Sequence, residues 1–562
     1  QGNMNKYTAR GGISPVTAQL AVEGPLRKEK SAFILTGRST YSDWILDRLG
    51  DPELRESEAA FSDLAGAVTW EPGEKTLMKF FVYRSGDRFA LGNTNRYDYR
   101  NQGGSAILRR RFSERLTGDF SLAYGGYEYG HQEMSVPPEA YSHNYRIDHY
   151  EGRADLTWLS LGPHRLTFGG GAIYYHLDRG DVEPLGASSL RTPVSLGKEN
   201  GLEAAIYLAD EITLMPDLTL YAGIRFAQYL HLGPASVLDY TEGAPLRPGF
   251  VDDTLSFRPG EVIQGYFSPE PRVALNYRLD NNQSFKFSYN RLRQFLFMLS
   301  NTIAISPTDQ WKLVDSHIRP PSVDQLSAGY YRDFPSGGIS TSLEVYYKRA
   351  RDVVDYRDGA DFIGTPYVET TVLQGEQKAY GAELLLRKEA GKLNGWFSYA
   401  YSRSILQFAS GLAGEQINQG RSFPSNYDRP HHLSLVTNYR LNRRLSLSAN
   451  LVYITGRPAT FPVSVYYVDG LEYIRYSGRN SYRIPDYFRV DLSVNLEGNL
   501  KERKLFHSFW MLNVYNVTGR KNAYSVFFRN DEGVMNGYRL SIFSRPVITL
   551  SWNFKLGNYA SE

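Results

Sequence analysis

Along Arg545 to Leu556 the side chains take turns. Ile548, Leu550, Trp552, Phe554 and Leu556 fall on one side of an extended chain, and Thr549, Ser551, Asn553 and Lys555 on the other. The pattern recurs. Leu343, Val345 and Tyr347 oppose Ser342, Glu344 and Lys348. Leu445, Leu447, Ala449 and Leu451 oppose Ser446, Ser448 and Asn450. Phe488, Val490, Leu492, Val494 and Leu496 oppose Arg489, Asp491, Ser493, Asn495 and Glu497. One such run also fits a half-buried strand of a soluble sandwich. Repetition over nearly the whole chain, with Arg, Lys, Glu and Asn on the polar face, predicts a wall with lipid on one side and water on the other.

The connections support this. Short turns fall at Leu161–His164, Met215–Leu218, Leu279–Asn282, Pro335–Gly338, Glu389–Leu393 and Leu441–Arg444. Between them lie long polar stretches near 179–198, 232–264, 295–324, 408–427 and 456–481. Strict alternation puts short periplasmic turns at one rim and long extracellular loops at the other. Trp44 to Ala60 reads as a long loop with a short helical piece. Thr76 to Arg84 reads as a strand followed by a polar loop to about Arg100. The fold class expected is all-β: a transmembrane antiparallel β-barrel of about 22 strands, an even number. Closure is required because an open edge in hydrocarbon would leave backbone groups unpaired. Soluble sandwiches or a propeller would not have loops so lopsided between the two ends.

Composition narrows the classes. No run of the 562 residues approaches 18 consecutive apolar positions, and mean hydropathy is −0.42, so no transmembrane helix is expected. A net charge of +3 lacks the strongly basic face of a nucleic-acid binder. The 42 tyrosines suit interfacial girdles, where the ring meets lipid and the hydroxyl meets water. With no cysteine, disulfides and thiolate metal sites are excluded. The chain begins at Gln1 with no leader pattern, which suggests a removed signal peptide or an internal fragment.

Several segments resemble the TonB-dependent receptors of the outer membrane, in the version typical of Bacteroidetes. They are Gly2–Trp44, Pro307–Tyr330, Lys378–Lys388, Asp428–Leu441, Thr455–Pro462, Arg483–Asn495, Asn513–Phe528 and the last strand. The resemblance implies a 22-stranded barrel in the outer membrane of a Gram-negative bacterium, spanning residues 1–562. It implies a plug in the lumen, as outer-membrane transporters of that width carry, and uptake energised by TonB. Plug, TonB-contacting segment and N-terminal extension are expected upstream. The expected function is energy-coupled uptake of an unidentified nutrient; the alternative is a scaffold subunit of a larger outer-membrane complex. Expected partners are the lipid bilayer and lipopolysaccharide, the plug, TonB and, as further candidates, a surface lipoprotein or other outer-membrane subunits. Nucleic acid is not among them.

No constellation points to catalysis. Arg421, Asp428, Arg429, His431 and His432 lie close together but read as polar lumen lining, and an extended His431-His432 pair would point its rings to opposite faces. Asp358-Gly359-Ala360-Asp361 lacks the oxygen ladder of a calcium loop. Gly169-Gly170-Gly171 inside a strand suggests close approach of a neighbour. The doublets Tyr174-Tyr175, Tyr330-Tyr331, Tyr346-Tyr347 and Tyr466-Tyr467 read as girdle residues with one ring to lipid and one to the lumen. The apolar stretch Phe295 to Ile305 reads first as a strand extension above the membrane, with a loop packed on the plug or a patch for another protein as the alternatives. The expectation is therefore no catalytic residue, no metal site and no cofactor, with ligand-binding residues unassigned.

Overall fold

The computed structural model describes residues 2–557, apart from 42–43, 45–54, 93, 300–308, 359, 361–364, 411, 413, 470, 499–504, 532–533 and 542–544. Its wall runs β1 (Thr8–Ile13), β2 (Thr17–Arg27), β3 (Ser31–Thr40), β4 (Glu58–Gly73), β5 (Thr76–Leu91), β6 (Asn95–Arg111), β7 (Leu116–Glu133) and β8 (Tyr141–Leu159). It continues through β9 (His164–Asp178), β10 (Lys198–Met215), β11 (Leu218–Leu232), β12 (Val262–Asp280), β13 (Gln283–Arg293), β14 (Ser322–Phe334) and β15 (Ile339–Tyr356). It ends with β16 (Val372–Lys388), β17 (Leu393–Gln407), β18 (His431–Arg440), β19 (Leu445–Ile454), β20 (Tyr487–Glu497), β21 (Phe506–Tyr515) and β22 (Val547–Leu556). Each strand pairs antiparallel with its neighbours, and β1 pairs with β22 from Ala9↔Leu556 to Ile13↔Trp552, so the 22 strands form a closed barrel.

Register carries each face around the wall. Leu550 sits opposite Leu512, Leu512 opposite Val494, Val494 opposite Leu447, and Leu447 opposite Tyr439. The other parity forms a polar hoop: Thr549, Asn513, Ser493, Ser448, Asn438 and Asn394. Within it Ser448 Oγ donates to Asn438 Oδ1 at 2.6 Å. Leu122, Ile206, Leu208, Phe267 and Leu326 stand exposed on the outer face. A continuous apolar belt of this kind is a lipid contact. The inner face carries Arg38–Asp63, Arg109–Asp119, Arg153–Asp155 and Arg225–Glu203/Glu270 ion pairs.

β8 shows how a strand is divided. Its outward side chains are apolar from Trp158 up to Tyr150, close to the ~9–11 residues needed to cross a bilayer. At the upper end Tyr124, Tyr150 and Tyr174 form a ring contact chain with centroids 5.1 and 6.4 Å apart. The Tyr124 hydroxyl donates to Asp148 Oδ1 at 2.9 Å, and the Tyr174 hydroxyl to Asn200 Oδ1 at 3.0 Å. The remaining strand, up to Tyr141, stands above the membrane. Gly169 is needed for close approach: a Cβ there would lie 2.6 Å from the Tyr207 hydroxyl and 2.4 Å from Ala154 O.

Two expectations need correction. The connections do not alternate strictly, because β1 and β2 are joined by only residues 14–16, and β5 ends at Leu91 only four positions before β6 begins at Asn95, both on the long-loop rim. The polar stretch between Arg84 and Arg100 is mostly strand, since β5 and β6 stay paired to Leu91↔Asn95. Above lipid both faces meet water, so the apolar alternation that marks a strand ends before the ladder does. The reading of Trp44–Ala60 falls largely outside the described residues; where they resume as strand, β4 begins at Glu58.

Candidate functional site

Residues 294–299 and 309–321 do not rise as an extension of β13. They turn into the bore. Leu296–Leu299 pairs with Gln310–Leu313 as a separate hairpin, which overturns the reading of Phe295–Ile305 as a strand extension; 300–305 lie outside the described residues. The cause is hydrophobic. Phe295 stacks on the lumen-facing Tyr229 at 4.9 Å, and Phe297 and Leu299 are buried beside it with Val314 and Ile318. Leu313 packs among Tyr129, Tyr145, Ile147, Tyr175 and Leu177 of β7 to β9. The wall's tyrosines then grip the segment's backbone. Tyr145, Tyr229 and Tyr266 donate to the carbonyls of Trp311, Val314 and Asp315 at 3.2, 2.9 and 2.8 Å.

A buried charge cluster locks the segment down. Lys312 Nζ donates to Asp315 Oδ2 at 2.6 Å and Leu313 O at 2.8 Å, and lies 3.1 Å from Glu199 Oε1 on β10. Glu199 Oε2 accepts from Leu313 N at 3.0 Å, and Asp315 Oδ1 accepts from His317 N and Ile318 N. Arg179 Nε stands 3.9 Å from Glu199 and its Nη1 donates to Pro366 O at 2.7 Å, joining a second loop to the cluster.

Burial alone would push the Lys312 ammonium down, but Asp315 and Glu199 outweigh it and hold it above its ordinary value. Burial would raise the Asp315 carboxyl, but Lys312 outweighs it and holds that group below its ordinary value. Glu369 beneath the same segment is pushed up, by burial first and then by Asp315. The Asp315 contribution is therefore present above the unfolded carboxylate pKa and lost as pH falls. The Glu369 contribution has the opposite sign. The Lys312 contribution is lost as pH rises past the unfolded lysine value. Hydrogen exchange of the amides from Gln310 to Ile318, corrected for intrinsic rates, should be flat through neutral pH. In Glu369→Gln, protection should fall below about pH 4; an unchanged acid profile would refute the lock.

The other long loops are tied across the rim. Glu415 binds Arg247 at 3.2 Å and also Arg357. Arg479 binds Asp355 at 3.2 Å and Asp358 at 2.6 Å. Phe408, Ile417 and Phe423 pack on Leu373. Below this roof, a cavity of about 380 Å³ on the inner wall is lined by Glu151, Arg153, Asp155, Tyr207, Glu203 and Arg225.

The sequence candidates scatter. Asp428 is buried and accepts from Ser404 N at 2.7 Å, from Arg403 Nε at 3.1 Å and from Arg483. Arg421 bonds instead to Gln419 and Asn418. His431 contacts Tyr399 and Tyr401 on the outer face, while His432 pairs with Ala400 on the inner face. Asp358 is held by Arg479; Gly359 and Asp361 lie outside the described residues. Among the described residues no three His, Asp or Glu side chains gather as a metal site. Tyr174 faces out and Tyr175 in, as expected of the doublets. Tyr466-Tyr467 is different: it sits in a loop hairpin, Pro462–Val468 with Leu471–Tyr476, where Tyr466 stacks on Tyr473 at 5.6 Å. Its alternation is that of a strand, but the strand is outside the wall. Lys312, Asp315, Glu199 and Arg179 had no signal beyond an apolar run beside Trp311–Asp315, because their meeting spans more than a hundred residues.

A family model described as TonB dependent receptor-like, beta-barrel, matches residues 32–517. No curated protein matches the sequence. Solved structures do. The ferripyoverdine receptor of the outer membrane of Pseudomonas aeruginosa aligns with TM-score 0.64 and 13% identity, over 99% of this chain and 72% of that one. BauA, the ferric preacinetobactin receptor of Acinetobacter baumannii, gives 0.65 and 12%, over 98% and 80%. The ferric-catecholate import receptor Fiu of E. coli K12 gives 0.63 and 12%, over 99% and 82%.

Proposed function

This chain belongs to the TonB-dependent receptor-like β-barrel family, an outer-membrane family of Gram-negative bacteria, and from that premise we propose that it takes up a scarce solute across that membrane, energised through TonB. The observation that supports the reading is the pair of stretches 294–299 and 309–321 folded into the bore. It narrows the extracellular half of the pore and sets polar and aromatic side chains around an entering solute. A bore of this width also calls for a filler on the periplasmic side, which we assign to a plug domain upstream. The family is one of receptors, and the reading contains no catalytic step. The test is solute depletion. Cells lacking this protein and cells lacking TonB should both fail to remove the same compound from spent medium, followed by mass spectrometry. Removal that survives loss of TonB would end the uptake reading.

A second reading, a scaffold subunit, is favoured by one observation. The loop hairpin exposes Val463, Tyr466, Tyr467, Tyr473 and Tyr476 together above the rim, an apolar patch suited to a neighbouring subunit. Co-purified subunits lost on deletion, with uptake unchanged, would support it.

A further inference from the structure

The lipid-facing parity continues past the edge of the apolar belt. On β15 it runs Leu343, Val345 and Tyr347, then Arg349 and Arg351. On β16 it runs Leu384, Ala382 and Tyr380, then Lys378 and Glu376. On β13 it gives Phe287, Tyr289, Arg291 and Arg293, and on β17 Tyr399, Tyr401 and Arg403. Register sets these positions side by side. Tyr347, Tyr380 and Arg403 share one line across the wall, and Arg291, Asp324, Arg349 and Lys378 share the next. Tyr347, Tyr380 and Tyr401 each stand eight residues up from the short-turn end of their strand, and Arg349, Lys378 and Arg403 ten. Two residues along a tilted strand are a rise of about 5 Å. The cations therefore form a tier just above a tyrosine tier, at the outer edge of the ~9–11 residues that cross a bilayer.

Carboxylates do not balance this tier. Arg291, Arg293, Arg349, Arg351, Lys378 and Arg403 meet only Asp324 and Glu376 on the same face of β13 to β17. Arg291 holds Asp324 at 2.7 Å, and Arg349 holds Glu376 at 3.0 Å. Nearby, Asp428 is buried and shared by Arg403 and Arg483, and Asp352 is taken by Arg319 at 2.8 Å. Among the described residues no carboxylate lies within ion-pair distance of Arg351 or Lys378, and both side chains are exposed. Arg349 and Lys378 stand directly opposite each other across two strands. Such a like-charge pair is destabilising unless an anion lies over it. The sector β4 to β8 differs. There Arg84, Arg88, Arg96, Arg100 and Arg146 share the outward face with Glu58, Asp98, Glu128 and Asp148, nearly one to one, and most are paired.

We propose that the outward face of β13 to β17 is a binding site for an outer-leaflet glycolipid, a lipopolysaccharide, whose phosphates lie against Arg349, Arg351 and Lys378. The layers of the face identify the occupant. Phe287, Leu326, Leu343 and Val345 are exposed at the bottom and take acyl chains. Tyr289, Tyr347 and Tyr380 come next, where a ring meets chains and a hydroxyl meets headgroups. The Tyr289 hydroxyl already reaches into the charged tier, donating to Asp324 Oδ1 at 2.8 Å. The cations follow at the height of lipid phosphates. Guanidinium groups match phosphate oxygens by charge-assisted hydrogen bonds, and clustered Arg and Lys at a bilayer surface recognise anionic headgroups. A soluble acidic partner would meet the cations but leave the belt beneath them uncovered. The site lies outside the wall, away from the bore, so it holds for a receptor and for a scaffold alike.

The test is a titration of the full-length protein in mixed detergent micelles with fluorescently labelled, phosphorylated lipid A. The same lipid stripped of its phosphates and a phosphatidylglycerol serve as comparison probes. Phosphorylated lipid A should bind, and the two comparison lipids should bind more weakly by about tenfold or more. Arg351→Gln combined with Lys378→Gln should weaken lipid A binding by about tenfold or more. Arg84→Gln combined with Arg100→Gln removes the same charge from the outward face of β5 and β6 and should leave binding unchanged. Neither Arg351 nor Lys378 holds a carboxylate, so the lipid-free thermal midpoint of the first double variant should not fall, which separates lost binding from lost folding. Absence of lipid A binding, equal loss in the two double variants, or binding that survives removal of the phosphates would overturn the site. Equal binding of phosphatidylglycerol would overturn its assignment to a glycolipid.

Discussion

Lys312→Met should release the infolded segment while leaving the barrel closed. Lys312 is the one cation between Asp315 and Glu199, and its side chain is 5% exposed. Without it, two buried carboxylates face each other, and among the described residues Arg179 stands 3.9 Å from Glu199. Removing one partner of a buried ion pair costs about 3–5 kcal/mol, because the other charge stays behind uncompensated. The apolar contacts of Phe295, Phe297 and Leu313 oppose release, but local docking is weaker than the global fold. The measurement is hydrogen exchange from Gln310 to Ile318, with single-channel conductance in planar bilayers as a second readout. Protection should drop in Lys312→Met while the amides of β20 to β22 keep theirs, and conductance should rise. A double change, Lys312→Met with Asp315→Leu, should restore part of the protection. Unchanged exchange in the single variant would show that stacking alone holds the segment.

The second large effect concerns the wall. Leu492 lies at the centre of β20, five residues from Tyr487 and five from Glu497, on the outer face and 44% exposed. Val494 shares that face between Leu447 and Leu512. Leu492→Arg or Val494→Arg sets a guanidinium in hydrocarbon near mid-membrane and should cost about 2–4 kcal/mol. Ser493 lies between them in the chain but belongs to the polar hoop, between Ser448 and Asn513. Ser493→Arg meets water and should cost far less. Refolding titrations into lipid vesicles measure all three. Equal costs would mean that the two faces have been assigned wrongly.

The wall was legible because its determinants are local. Alternation along β20 or β22 needs only neighbouring residues, and turns such as Leu441–Arg444 announce themselves. What escaped lies beyond that range. β5 and β6 run past the membrane, where alternation has no solvent difference to record. The pair at Tyr466-Tyr467 alternates like a wall strand although it belongs to a loop. Arg429 stood with four polar neighbours as lumen lining; that Asp428 is occupied by Arg403 and Arg483 could be seen only in the fold. The same holds for Glu199, whose partner Leu313 is distant in sequence and close only because a loop turns inward.

The seam between β1 and β22 has a consequence for biosynthesis. Ala9 waits for Leu556, so no stage of translation yields a finished cylinder, and until the last strand emerges the growing sheet has two bare edges ready to stick to other chains. The ring can shut only once both of these edge strands are present, so closure is a late, long-range step.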